Sequence, residues 1–145
     1  MPRVGLVGVG LIGRAWANVF SRAGWDVRLW DPVPAALANA PALIARSLED
    51  VARHGLAKDP ASAARRIETA GSLEAAVRDA ELVIESGPER VEVKIELFAR
   101  LDAAASPSAI LASSSSAIVT SRYTENLKGR HRGLVAHKRA QQKPQ

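Results

Sequence analysis

Ten residues near the amino terminus, Val4-Gly5-Leu6-Val7-Gly8-Val9-Gly10-Leu11-Ile12-Gly13, restrict this chain to few folds. A short apolar run turns on glycines straight into a segment of helical pattern, Leu11 to about Ala23, so that Gly8, Gly10 and Gly13 fill the three positions of GxGxxG. The first glycine suits a tight turn, the second removes a Cβ that would hold a diphosphate off the backbone, and the third lets helix and strand approach closely. The phosphates would sit on N–H groups at the positive end of that helix.

Glycines also punctuate ordinary turns, so the context decides. After Gly24 the run Trp25-Asp26-Val27-Arg28-Leu29-Trp30 alternates like a strand and closes on Asp31, 18 residues beyond Gly13. A carboxylate there accepts hydrogen bonds from both hydroxyls of an adenosine ribose and repels a 2′-phosphate, which selects NAD over NADP. The alternative is a helix cap before Pro32. The order strand, glycine loop, helix, strand favours the ribose.

The 145 residues are 47% hydrophobic, enough for one domain with a core. The expected division is a dinucleotide-binding domain over residues 1–137 and a disordered basic tail over 138–145. The absence of cysteine excludes a disulfide framework and thiolate metal sites, and no metal is expected. The start lacks the features of a secretory signal, and no apolar run approaches the roughly 18 residues that span a bilayer. A cytoplasmic protein without membrane contact is expected.

Charge is unevenly spread. Residues 1–127 hold 14 Lys and Arg against 15 Asp and Glu, whereas residues 128–145 hold 6 and none. Such a tail can bind an anion or nucleic acid, but it lacks the interleaved aromatic residues that stack on bases, and a solvated terminus is the simpler reading.

The rest of the chain alternates helical and strand patterns. Pro34 to about Leu56 reads as one or two helices, with a break or kink expected at Pro41. Ile67–Thr69 reads as a short strand, Leu73–Arg78 as a short helix, Glu81–Glu85 as a buried strand, Glu89–Ala105 as a helix, and Ala109–Ala112 and Gly133–Ala136 as strands. That order specifies an α/β fold with a doubly wound, mostly parallel sheet. Ligands gather at the carboxyl ends of such strands, where Gly8, Asp31, Glu85, Ser86, the serines 113–116 and His137 all fall.

Several of these stretches resemble a known family. Leu82-Val83-Ile84-Glu85-Ser86-Gly87-Pro88-Glu89-Arg90-Val91-Glu92-Val93-Lys94, then Ile110-Leu111-Ala112-Ser113-Ser114-Ser115-Ser116 and Gly133-Leu134-Val135-Ala136-His137, look like the NAD-binding domain of the 3-hydroxyacyl-CoA dehydrogenases. The Glu-Ser-x-Pro-Glu and Val-Ala-His forms most resemble the branch of L-gulonate 3-dehydrogenase and lambda-crystallin. The resemblance implies a Rossmann-type domain in which Leu11 and Ile12 cover the diphosphate and Glu89 and Lys94 contact the nicotinamide half of NAD. It further implies that Ser116 hydrogen-bonds the substrate oxygen at C3. His137 would then take the hydroxyl proton while hydride leaves for the nicotinamide ring, a role suited to a pKa near neutrality.

Bland readings stand beside each role. A first-turn glutamate with an exposed lysine, a serine loop that caps a helix, and a histidine at a strand end are all commonplace. The chain also departs from the family after His137. The family continues with a proline- and asparagine-containing segment, a glutamate that orients the imidazole, and a helical domain that builds the acyl pocket and dimer interface; here Ala140 stands in place of the asparagine. A truncation or shifted reading frame is the expectation, with activity impaired in the absence of the carboxylate. Three functions are weighed: an NAD-dependent oxidoreductase of 3-hydroxy acids or their CoA thioesters (a sugar acid and carnitine included), an NAD-binding module without turnover, and an anion or nucleic-acid binder. A homo-oligomer with a small-molecule 3-hydroxy substrate is expected.

Overall fold

In a computed structural model that describes residues 2–87 and 90–114 in full and the backbone of residues 133–135, the glycine loop joins strand β1 (Arg3–Val7) to helix α1 (Leu11–Arg22). The chain continues through β2 (Asp26–Trp30), α2 (Pro34–Arg53), α3 (Pro60–Arg65), β3 (Ile67–Thr69) and α4 (Leu73–Val77). β4 (Leu82–Glu85), α5 (Val91–Ala104), β5 (Ile110–Ser113) and β6 (Gly133–Val135) follow. Every strand pairing is parallel, and the order across the sheet is β3-β2-β1-β4-β5-β6. The direction of winding reverses between β1 and β4. Loops leaving those two strands diverge to opposite faces, which opens a crevice over their carboxyl ends.

Two apolar layers sandwich the sheet, and neighbouring residues of the inner strands supply opposite ones. Val83 and Leu111 pack with Leu73, Val77, Phe98 and Leu101 from α4 and α5. Ile84 and Ala112 pack with Ala17, Ile44 and Leu48 from α1 and α2. Strands covered on both faces need apolar residues at every position, which is why β4 and β5 read as continuous runs rather than alternations.

The helix after β2 corrects one expectation. Neither broken nor split, α2 runs through Pro41 from Pro34 to Arg53. Ala40, Ile44 and Leu48 are 0% exposed and fall four apart on one face, so their burial holds the helix together across the missing N–H. The six-residue α3 was not anticipated, although Asp59, whose carboxylate accepts from Ser62 N–H, and Pro60 in its first turn mark its start. Strand and helix limits otherwise differ from the sequence pattern by one or two residues, as element ends do.

Candidate functional site

Gly8 sits at φ 104°, a left-handed conformation open chiefly to glycine, and a Cβ there would lie 2.9 Å from the Ser86 carbonyl oxygen. The bend therefore rests directly against the loop after β4. At Gly13 a Cβ would collide with the Gly8 carbonyl oxygen, so α1 packs on the turn as closely as backbone allows. Gly10 is the opposite case, with nothing within 4 Å of the place its Cβ would take. It faces open space. No side chain caps α1 and its first turn holds no acidic residue, so the N–H groups that lack intrahelical acceptors stand ready for an anion. Leu11 and Ile12, 78% and 47% exposed, flank that opening.

Asp31 stands across the opening, just beyond β2. One carboxylate oxygen accepts from Val9 N–H at 3.0 Å and the other from Val33 N–H at 2.8 Å. The first bond ties the carboxylate to the glycine loop itself. The second is a turn contact, and the helix cap is Val33 rather than Asp31. Each carboxylate oxygen has two lone pairs, so both retain a direction for a ribose hydroxyl.

Between these groups lies a cleft of about 460 Å³, lined by Gly8, Gly10, Asp31, Ser86 and Gly87 at its polar end. Trp30, Pro32, Val33, Val93 and Leu97 supply an apolar wall suited to a flat ring. Arg100 closes that wall. Its guanidinium lies 5.8 Å from the Trp30 ring centroid and hydrogen-bonds Glu74 at 2.9 Å. That bond holds the Glu74 carboxyl below the ordinary carboxylate range, with a further lowering from backbone hydrogen bonding. Sequence patterning gave no signal for this wall, because Glu74 and Arg100 are brought together from α4 and α5 by tertiary packing alone.

On the far side of the glycine bend the carboxyl ends of β4 and β5 meet over a buried polar cluster. Lys94, directed by resemblance to the nicotinamide end, is 0% exposed, and its Nζ lies 2.5 Å from Glu85 Oε1. The commonplace exposed lysine is therefore not what stands here. Ser113 Oγ donates to the same oxygen at 2.8 Å. Of the sequence-derived site residues, Gly8, Gly10 and Asp31 line the cleft, Leu11 and Ile12 stand exposed at the start of α1, Gly13 is buried behind the bend, and Lys94 is buried at the β4 side. Glu89, Ser116, His137 and the tail over 138–145 lie outside the described residues. Among the described residues no group of three or more His, Asp or Glu side chains is placed to hold a metal ion. No helix among them is long and apolar enough to cross a membrane.

The donor set fits a dinucleotide: open backbone at Gly10, uncapped amides, a carboxylate in the same cleft at the end of the next strand, and one apolar wall. Comparison with known proteins agrees. Residues 3–139 match the family model described as 3-hydroxyacyl-CoA dehydrogenase, NAD binding domain. An L-carnitine dehydrogenase of a Pseudomonas species is 37% identical over 131 residues, covering 90% of this chain and 40% of that protein. The lambda-crystallin homolog of Mus musculus is 35% identical over 135 residues, 91% of this chain and 42% of that one. Among solved structures, M. tuberculosis FadB2 superposes with a TM-score of 0.87 at 33% identity, over 94% of this chain and 49% of its own. The chain thus spans about 40% of the length of the curated relatives it matches.

Proposed function

The chain belongs to the family of 3-hydroxyacyl-CoA dehydrogenase NAD-binding domains, and on that premise we propose that it is the cofactor-holding part of an NAD-dependent oxidoreductase acting on a small 3-hydroxy substrate. Bound NAD supplies the hydride acceptor. The chain's own residues do the rest. Uncapped amides at the start of α1 take the diphosphate, Asp31 takes the adenosine ribose, and the wall of Trp30 and Arg100 takes the base. Lys94 and Glu89 serve the nicotinamide half, Ser116 orients the substrate oxygen, and His137 accepts its proton; these four roles rest on resemblance. The observation that carries the proposal is the open face of Gly10 opposite the Asp31 carboxylate in one cleft.

A 3-hydroxy carboxylic acid or its CoA thioester is the substrate class, supported by the relatives named for L-carnitine oxidation. We further place the protein in the cytoplasm, as a homo-oligomer with no nucleic-acid partner. A second reading, NAD binding without turnover, has its own support: every group described in the cleft serves the cofactor. NADH formation separates the two. The chain is assayed with L-carnitine and 3-hydroxyacyl thioesters, alone and with the carboxy-terminal part of a relative supplied as a separate chain. The dehydrogenase reading expects turnover with the added part and its loss in His137→Ala. NAD binding with no turnover in either assay supports the binding module.

A further inference from the structure

Glu85 closes β4 and is 0% exposed, as are Lys94 of α5 and Ser113 of β5. Its carboxylate gathers donors from three separate places: Lys94 Nζ at 2.5 Å and Ser113 Oγ at 2.8 Å on Oε1, and the Gly87 backbone N–H at 2.5 Å on Oε2. Its carbonyl accepts from Ser114 N–H at 2.9 Å and from Ser114 Oγ at 3.0 Å. One residue therefore fixes the end of β5, the first turn of α5 and the loop after β4.

A buried ion pair is a poor source of stability, since apolar residues of equal volume often do as well or better. It does hold a single geometry. Gly87, tethered by Glu85, and Ser86 enter the cleft from the β4 side of the switch point and line it together with Asp31, whereas Lys94 and Ser113 lie further along, at the ends of α5 and β5 that face β4. In a sheet wound this way the second mononucleotide half lies on that side. Lys94 has three N–H donors, of which one is directed at Glu85 Oε1.

We propose that Glu85 is a positioning residue for the nicotinamide half of the site, acting through Lys94 and touching no ligand itself. The proposal rests on the NAD reading above. The adenosine half is held by Asp31 and α1, and the hydrogen bonds of Asp31 run to Val9 and Val33 rather than to Glu85.

The test titrates NAD and ADP calorimetrically into the wild-type chain, Glu85→Gln and Ser113→Ala. ADP carries the adenosine and diphosphate without the nicotinamide riboside, so it reads the Asp31 side alone. Glu85→Gln should weaken NAD about tenfold and leave ADP within about twofold, and Ser113→Ala should show the same pattern with a smaller loss. Equal weakening of both nucleotides, or of neither, overturns the proposal, since a purely structural role moves them together. If Glu85→Gln does not fold, Ser113→Ala decides by the same ratio, because it keeps the ion pair. A wild-type chain that binds neither nucleotide refutes the NAD reading instead, so the two failures are distinct.

Discussion

At Asp31 a single carboxylate is bonded to the glycine loop through Val9 and to the start of α2 through Val33. It therefore couples the shape of the glycine loop to the start of α2. Under the proposed function the negative charge would also set cofactor choice, because a 2′-phosphate would approach it directly. Asp31→Asn keeps the volume and one acceptor oxygen while removing the charge. Its NAD affinity should fall about tenfold and its NADP affinity should rise, as measured by paired titrations. An unchanged ratio of the two affinities would show that the carboxylate does not face the ribose. The three glycines were legible in the sequence because their conformations follow from local backbone geometry within one strand-turn-helix unit, and Asp31 because it closes the next strand. Glu85 was legible only as a polar strand end. Its partners lie 9 and 28 residues away, and no periodicity links them.

Among the elements, α2 shows where local propensity gave way to packing. Pro41 leaves the Leu37 carbonyl without its helical donor, a local cost that a sequence reading converts into a break. The stripe of Ala40, Ile44 and Leu48 outweighs it, as burying a leucine or isoleucine side chain contributes about 1.5–3 kcal/mol. Pro41→Ala should then raise stability by about 1–2 kcal/mol, the restored hydrogen bond being partly offset by a more flexible unfolded chain. Denaturant unfolding followed by far-ultraviolet circular dichroism reads this directly. A lower midpoint would mean that the proline ring fills a packing role in α2. The strands were easier to read than the helices, since continuous apolar runs such as Leu82–Ile84 have one structural meaning once turns bound them. The six-residue α3 carries too short a pattern to register against its flanking loop.

Over the whole molecule, the parallel sheet and its reversal between β1 and β4 convert local motifs into a site. The glycine bend, Asp31 and the Glu85 cluster come from three strand ends distant in sequence, and strand order alone brings them together. The alternation of strand and helix patterns made that order legible. The wall that Trp30 and Arg100 form was not, because it depends on how α5 lies over the end of β2. Calorimetric titration of the unmodified chain with NAD and NADP is the most direct trial of this arrangement. Saturable binding of NAD, at least about tenfold tighter than NADP, is the predicted result. Absence of NAD binding, or equal affinity for the two, would contradict it.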